Sequence, residues 1–477
     1  MQLNYIANTS LPSSSGKTIP VIDPSDGQVF DEIQRGNAYD IDVAVGSARG
    51  CLDRVWSRLS AAERGRLLMR LSSKVAEHAE ELALIEQRDC GKPTQQARAD
   101  TLALARYFEF YAGACDKLHG ETIPYLDGYS VMTWREPHGV TGHVIPWNYP
   151  MQIFGRSVGG ALAAGNVCVV KPSEDACLSL LRVAQLAAEV GFPAGAINIV
   201  TGYGHEVGDA LARHPGIDHI SFTGSPSIGT LIQQVAAERH CPVTLELGGK
   251  SPQIVFADAD PDLVIPAIVN AIVQNAGQTC SAGSRLLVQQ AIYEPLLEQL
   301  GQAFEALRVG PAAMDLDLGP LIRQSQQQRV WDFLSDAQVA GIPMVAQGQI
   351  VDEAPDTGFY QAPTLLRDVP VMHRLAQEEV FGPVLCAMSF TDEDHAVELT
   401  NATRFGLVAG IWTRDGARQF RMARRVQSGQ VFINNYGAGG GVELPFGGVK
   451  SSGYGREKGL EALHGFTTLK TVAIRHG

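Results

Sequence analysis

Apolar residues recur at two different spacings along the chain, and the change of spacing divides the chain into two parts. Between residues 61 and 87 they recur at intervals of three and four, which predicts one long amphipathic helix. These residues are Leu67, Leu68, Leu71, Val75, Leu82 and Ile85. Gly91 and Pro93 are expected to end this helix. A similar pattern over residues 95–115 predicts a second helix.

From Gly139 onward the pattern changes to short apolar strands that alternate with helical stretches. A first group of strands is predicted at 140–145, 167–170, 197–200 and 217–222, and a second at 252–256, 286–288, 384–390, 410–413 and 429–434. Strands of this length separated by helices predict parallel sheets with helices on both faces, and ligands bind at the carboxyl ends of such strands. The chain is therefore predicted to contain two α/β lobes.

Two further segments have the alternation of an exposed β-ribbon. They cover residues 118–136 and the tail at 467–474. An exposed ribbon needs a partner strand. The tail can pair with the ribbon within one chain or on another subunit, so the two segments are predicted to form an arm.

Composition excludes several classes of protein. The chain has 38 basic and 51 acidic side chains, a net charge of −13, which makes nucleic acid and acidic membranes poor partners and favours a small molecule. The eight cysteines show no CxxC pair or regular spacing, so no metal site and a reducing, cytoplasmic setting are expected. The uncharged run at 158–170 is too short to span a bilayer.

One carboxylate and one thiol lie in glycine-rich segments in the middle of the chain. Glu246 precedes Gly248 and Gly249, and Cys280 follows Gly277. A thiol is a strong nucleophile near neutral pH and a carboxylate can activate water, so the pair suits a covalent thioester that is then hydrolysed. Each residue alone is more often structural.

The loops after the predicted strands carry further candidates. An Asn148 amide could hold an oxyanion, although Asn between two prolines is also a turn former. Lys171 and Glu174 could bind ribose hydroxyls or simply form a capping turn. Ser225 opens a helix, which suits a phosphate. The usual GxGxxG fingerprint does not occur.

Seven segments in one order make the chain resemble the NAD(P)-dependent aldehyde dehydrogenase superfamily along its whole length. They cover residues 146–150, 171–174, 222–225, 246–250, 277–280, 378–384 and 445–448. The resemblance implies an α/β fold with a variant Rossmann-type cofactor domain, an α/β catalytic domain and a β-ribbon oligomerisation arm. The implied limits are 1–117 and 138–247 for the cofactor domain, and 248–464 for the catalytic domain. The implied arm covers 118–137 and 465–477. A homodimer or homotetramer is expected.

The resemblance also implies a role for each matching residue. Cys280 would attack the aldehyde carbon, the Asn148 side chain and the Cys280 N–H would hold the oxyanion, and Glu246 would activate the hydrolytic water. NAD is the implied cofactor, with NADP as the alternative, because Glu174 would repel a 2′-phosphate. The implied cofactor-binding residues are Ile145, Pro146, Trp147, Lys171, Ser173, Glu174, Gly204, Gly208, Phe222, Thr223, Gly224, Ser225, Ile228, Leu247, Glu379 and Phe381.

Arg156 and Tyr149 are the candidate substrate contacts. Arg156 shares a helix face with Asn148, and an unpaired buried guanidinium would be costly, so it is predicted to meet a substrate anion. An arginine at this spacing is similar to one in the family's succinate semialdehyde branch, where it binds the carboxylate. The alternative is that Arg156 pairs with a protein acid. An aromatic wall is expected from Tyr107, Phe108, Tyr149, Phe154 and Tyr436, whereas the glycine run at 437–441 leaves the pocket mouth unassigned.

Two other functions compete with hydrolytic aldehyde oxidation. In a CoA-acylating semialdehyde dehydrogenase a thiol would resolve the thioester, which Glu246 argues against. In a catalytically retired family member the chain would be a structural or binding protein. The presence of Cys280, Glu246 and Asn148 together argues against that reading.

Overall fold

The computed structural model describes residues 1–437 and 441–477, where the strands form five sheets. The strands of the N-terminal half are β1 (Asn4–Ile6), β2 (Thr9–Leu11), β3 (Thr18–Ile22), β4 (Val29–Gln34), β5 (Thr122–Ile123), β6 (Tyr129–Pro137), β7 (Val140–Ile145), β8 (Val167–Pro172), β9 (Ile197–Ile199), β10 (His219–Thr223) and β11 (Val243–Glu246). Those of the C-terminal half are β12 (Pro252–Val255), β13 (Arg285–Gln289), β14 (Arg308–Val309), β15 (Met344–Gln347), β16 (Gln349–Ile350), β17 (Thr364–Leu366), β18 (Val384–Phe390), β19 (Val408–Trp412), β20 (Gln430–Ile433), β21 (Gly453–Tyr454) and β22 (Thr467–Arg475).

Helices cover both large sheets. They are α1 (Ala38–Arg54), α2 (Ala61–Glu77), α3 (Ala79–Cys90), α4 (Thr94–Ala114), α5 (Pro150–Ala164), α6 (Leu178–Glu189), α7 (Asp209–Arg213), α8 (Pro226–Ala237), α9 (Pro261–Val273), α10 (Tyr293–Glu305), α11 (Gln324–Val339), α12 (Arg374–Gln377), α13 (Glu393–Asn401), α14 (Gly416–Arg425) and α15 (Glu461–Gly465). Within the described residues, no helix is long and apolar enough to cross a membrane.

The two large sheets confirm the predicted pair of α/β lobes. The first has the order β2-β1-β9-β8-β7-β10-β11-β21, with parallel pairing from β9 to β11. The second has the order β15-β17-β18-β13-β12-β19-β20 and is parallel from β17 to β20. The residues of β8 and β13 are almost all buried, as expected for strands covered on both faces. The domain limits given above stay a prediction.

The predicted long helix over residues 61–87 is wrong in one respect, because the chain forms two helices there. α2 ends and α3 begins at His78, whose backbone (φ −100°, ψ 20°) leaves the helical region. The apolar spacing continues across this residue, so the sequence pattern does not show the break. α3 ends at Gly91 in the left-handed conformation that glycine favours, and the second predicted helix is confirmed as α4.

The ribbon and the tail pair within one chain. β22 runs antiparallel to β6 over nine residue pairs, from Thr467 opposite Pro137 to Arg475 opposite Tyr129. β5 pairs with the other edge of β6, which gives the order β22-β6-β5. Among the described strands, the outer edge of β22 therefore has no partner. The use of this arm for oligomerisation stays a prediction.

Candidate active site

Asn148, Glu246 and Cys280 meet where strands of the two sheets end or begin. Asn148 lies in the turn between β7 and α5, Glu246 ends β11, and Cys280 lies in the turn between α9 and β13. Asn148 and Cys280 each line two separate cavities, and Glu246 lines one of them. The three residues proposed for catalysis thus share one centre with a cavity on each side.

The larger cavity has a volume of about 710 Å³ and is lined by half of the predicted cofactor residues. These are Pro146, Trp147, Thr223, Gly224, Ser225, Leu247, Glu379 and Phe381. The rings of Trp147 and Phe381 meet edge to face at 5.3 Å. Its wall also contains Gln326, Arg329 and Phe405, which the sequence analysis did not single out because they lie outside the recognised segments.

The remaining predicted cofactor residues lie outside the wall of this cavity. Lys171 is buried at the end of β8, and its Nζ binds a Glu174 carboxylate oxygen at 2.9 Å. A side chain at Gly204 would stand 4.0 Å from the same Nζ, so these three residues form one cluster. Of the others, Ile145 and Phe222 are buried, and the Ser173 N–H donates to the Ile145 carbonyl oxygen. Gly208 ends a π-turn, and Ile228 is exposed. Their roles stay predictions.

The first turn of α8 presents a helix N-terminus to the larger cavity. Ser225 caps this helix, and its Oγ accepts the N–H of Ile228 at 3.5 Å. Free N–H groups and the helix dipole at such a terminus attract a phosphate. The position of Ser225 therefore suits the pyrophosphate of a dinucleotide.

A tight turn presents the thiol of Cys280 to both cavities. Asn275 and Ala276 have positive φ angles of 47° and 51°, and Gly277 follows at 73°. A side chain at Gly277 would stand 2.3 Å from the Gly382 carbonyl group, so only glycine fits there. Burial raises the pKa of the Cys280 thiol to about 12, and the nearby charge of Arg156 only partly opposes this shift. The thiol of the free protein is therefore neutral near pH 7.

Glu246 is a buried carboxyl group with unused hydrogen-bonding capacity. Its side chain is 2 % exposed, and neither carboxyl oxygen has a hydrogen-bond partner among the described residues. Burial raises its pKa well above the ordinary value, repulsion from Glu457 raises it further, and Arg156 lowers it. A carboxyl group with a raised pKa is suited to act as a general base near neutral pH.

Asn148 is held by the turn that carries Cys280. Its Nδ2 donates to the Gln278 carbonyl oxygen at 3.0 Å, and its own carbonyl oxygen accepts the Asn275 side chain at 2.8 Å. A side-chain amide has two N–H groups, so one remains after the bond to Gln278. This donor can hold an oxyanion that forms beside Cys280.

The smaller cavity, of about 300 Å³, has an aromatic wall that matches the substrate prediction in part. Tyr107, Tyr149 and Tyr436 line it, as does Phe446, which was not predicted. Phe108 and Phe154 do not line it; both are fully buried, with their rings packed edge to face at 6.3 Å. Gly437 also lines the cavity, while residues 438–440 of the glycine run lie outside the described residues.

Arg156 lines the smaller cavity, but the argument that its guanidinium lacks a partner is wrong. Its Nε forms an ion pair with the buried carboxylate of Glu457. Its Nη2 donates to Thr223 at 3.3 Å, and its guanidinium carbon lies 4.9 Å from the centre of the Phe446 ring. Glu457 was not predicted as the partner of Arg156, because it lies far along the chain and in none of the seven recognised segments. A protein acid thus balances the charge that was expected to need a substrate anion.

Comparisons with known proteins agree along the whole chain. Residues 11–472 match the aldehyde dehydrogenase family. A hydroxyisobutyraldehyde dehydrogenase from Mycolicibacterium austroafricanum is 42 % identical over 473 residues, covering 99 % of this chain and 93 % of that protein. The NADP/NAD-dependent aldehyde dehydrogenase PuuC from Escherichia coli is 41 % identical over 478 residues, covering 98 % and 95 %.

Solved structures give the same result. A chain from Burkholderia cenocepacia superposes with a TM-score of 0.99 at 72 % identity, covering all of both chains. PnpE from Pseudomonas sp. WBC-3 superposes with a TM-score of 0.97 at 38 % identity, covering all of this chain and 98 % of that one. PnpE has also been solved in complex with nicotinamide adenine dinucleotide.

Proposed function

Because the chain belongs to the aldehyde dehydrogenase family, we propose that it oxidises an aldehyde to a carboxylate with NAD, through a thioester on Cys280 that water hydrolyses. The observation that carries this proposal is the position of Cys280 and Asn148 between the two cavities. One cavity has the size and the helix N-terminus that a dinucleotide needs. The other can bring an aldehyde to the same thiol.

The larger cavity fits the cofactor by its own chemistry. Ser225 at the N-terminus of α8 would hold the pyrophosphate, and Glu379 and Phe381 would hold the nicotinamide end. Lys171 and Glu174 would bind the adenosine ribose. When bound, NAD supplies the acceptor for the hydride that leaves the substrate carbon.

The chain's own groups account for the covalent steps. Attack by the Cys280 sulfur forms the carbon–sulfur bond, and the thiol proton passes to water, which reaches this partly exposed side chain. The remaining Asn148 N–H and the Cys280 backbone N–H hold the resulting oxyanion. After oxidation, Glu246 takes a proton from water, water oxygen bonds to the acyl carbon, and the carbon–sulfur bond breaks.

The Glu246→Gln variant tests this assignment. It is expected to release NADH in one burst equal to the enzyme concentration and then to stall, because the thioester forms but its water is not activated. Mass spectrometry of the stalled protein should find the acyl group on the peptide with Cys280, and Cys280→Ala should give no burst. Full steady-state turnover by Glu246→Gln would refute the assignment. Acyl-CoA formed by wild type on addition of coenzyme A would revive the acylating alternative.

We further propose that the substrate carries a remote anionic group, as in a semialdehyde or a formyl-aromatic acid. The support is that two cationic side chains, Arg156 and Lys458, line the same cavity as Cys280. Glu457 offsets part of this charge, but a guanidinium has five N–H donors. Those not used for Glu457 and Thr223 remain for a carboxylate.

Paired substrates separate this charge effect from general damage. We would measure kcat/KM for 4-formylbenzoate and benzaldehyde, and for succinate semialdehyde and butanal, with wild type and Arg156→Gln. The anionic member of each pair should be preferred by wild type, and the preference should fall about 10- to 100-fold in the variant, as expected for loss of a charge-assisted bond of about 1.5–3 kcal/mol. An unchanged ratio, with both rates reduced alike, would mean that Arg156 only supports Glu457.

We also propose that the chain forms oligomers through the arm. Within the described residues, no strand pairs with the outer edge of β22, and Leu469 and Ile474 on this strand are exposed large apolar residues. Exposed strand edges of this kind are normally covered. A second copy of the chain is the partner proposed here, giving a homodimer or homotetramer.

A further inference from the structure

The turn between α3 and α4 contains a buried lysine to which the proposed reaction gives no role. Lys92 is 0 % exposed, and its Nζ lies 2.6 Å from a Glu86 carboxylate oxygen and 2.5 Å from one of Asp100. The same Nζ lies 4.3 Å from the centre of the Tyr149 ring. Burying an ammonium is costly even when it is paired. Because Lys92 lies against Tyr149, the residue that follows Asn148, it can influence the position of Asn148.

Neighbours of Lys92 hold the segment around Asn148 on both sides. The Cys90 thiol donates to the Trp147 carbonyl oxygen at 3.4 Å. The second carboxylate oxygen of Asp100 accepts the Gln152 side chain at 2.6 Å, one turn into α5. Together with the contact to the ring that follows Asn148, these bonds fix the backbone from which the oxyanion donor projects.

The same part of the chain also holds the turn that carries the thiol. The Tyr149 hydroxyl group is hydrogen-bonded to Thr279, the residue before Cys280, at 2.9 Å. The Gln96 side-chain oxygen accepts the backbone N–H of Asn275 at 3.0 Å. Tyr149, whose ring lies against Lys92, therefore adds a further link between the oxyanion loop and the nucleophile turn, beside the direct bonds of Asn148.

We propose that Lys92 is a positioning residue, which holds Tyr149 and thereby fixes the distance between the Asn148 amide and the Cys280 sulfur. The inference rests on the proposed roles of those two residues. Glu86 and Asp100 keep the ammonium charged and in place, and the ammonium holds the ring through its π face. A displacement of about 1 Å at an oxyanion site can cost about 10²-fold in rate.

The test compares Lys92→Met with wild type in pre-steady-state kinetics. The rate constant of the NADH burst should fall about 10- to 100-fold, while the dissociation constant for NAD stays unchanged. In the Asn148→Ala background, adding Lys92→Met should change the burst rate less than about threefold, because the two substitutions impair the same step. Equal slowing by Lys92→Met in both backgrounds would overturn the proposal.

Two variants of Tyr149 decide the question even if Lys92→Met does not fold. Tyr149→Phe keeps the ring against Lys92 but loses the hydrogen bond to Thr279, and Tyr149→Leu loses both. The burst rate should therefore fall for Tyr149→Phe and about tenfold further for Tyr149→Leu. Equal rates for the two would overturn the proposal. Arg98→Met is the matched control, because Arg98 in α4 forms an exposed ion pair with Glu80 of α3 and should keep the wild-type rate. Full activity in Asn148→Ala or Cys280→Ala alone would instead refute the proposed function.

Discussion

Alkylation of Cys280 in the protein without cofactor is expected to accelerate about tenfold for each pH unit between about pH 7 and pH 10, because only the thiolate reacts. The pKa of this thiol is raised to about 12. The thiolate fraction therefore grows steadily across this range and does not reach a plateau. Raising the pH thus increases the reactivity of the thiol throughout this range.

The size of the effect follows from the same pKa. At pH 8 about one thiol in 10⁴ is ionised, against about one in four for a free cysteine of pKa about 8.5. A thiolate of higher pKa is intrinsically more nucleophilic, with a Brønsted slope of about 0.45, which recovers about 40-fold. We therefore expect Cys280 to react about 60-fold more slowly than free cysteine at pH 8.

Iodoacetamide labelling followed by peptide mass spectrometry measures this rate for each cysteine separately. Cys280→Ser should remove the signal from its own peptide and leave the others unchanged. Cys241, the other cysteine that is not fully buried, serves as an internal reference. A plateau of the Cys280 rate near pH 8 or below would refute the reasoning, because it would show that the thiol ionises easily without the cofactor.

Two further predictions concern stability and assembly. Arg285 is fully buried and donates to three backbone carbonyl oxygens at 2.8–2.9 Å, those of Lys250, Leu399 and Thr400. Arg285→Leu should leave these oxygens unsatisfied and lower the free energy of unfolding by about 3–5 kcal/mol. An unchanged midpoint of urea unfolding would contradict this. Removal of residues 467–477 should reduce the molar mass measured by light scattering to that of a monomer, because it deletes β22, the edge strand of the arm. An unchanged molar mass would place the subunit contact elsewhere.

Residues within short sequence segments could be placed from the sequence. Asn148 lies in the turn that follows β7, and Cys280 lies in a turn where only glycine fits at position 277. The local sequence pattern therefore fixes both positions. The strand ends of a parallel sheet share one edge, and half of the predicted cofactor residues line one cavity there. Such positions depend only on neighbours in sequence and on the period of the strands.

Contacts between distant segments could not be predicted in this way. The ion pair of Arg156 with Glu457 and the contact of Lys92 with Tyr149 join parts of the chain with no common pattern. The raised pKa of Cys280 likewise results from burial by several elements. The break at His78 was missed for the opposite reason, since the apolar spacing continues unchanged through it.

The strand that borders Glu246 has a consequence for how the enzyme is made. β21 pairs with β11 so that Gly453 lies opposite Glu246, and the N–H of Leu247 donates to the Ser452 carbonyl oxygen. During translation the N-terminal lobe emerges long before residues 452 and 453. A ribosome-bound chain that ends ahead of them can form most of the first sheet but leaves Glu246 at an open edge. We therefore expect the site to be completed late in synthesis, because Glu246 gains this neighbouring strand only when residues 452 and 453 are present.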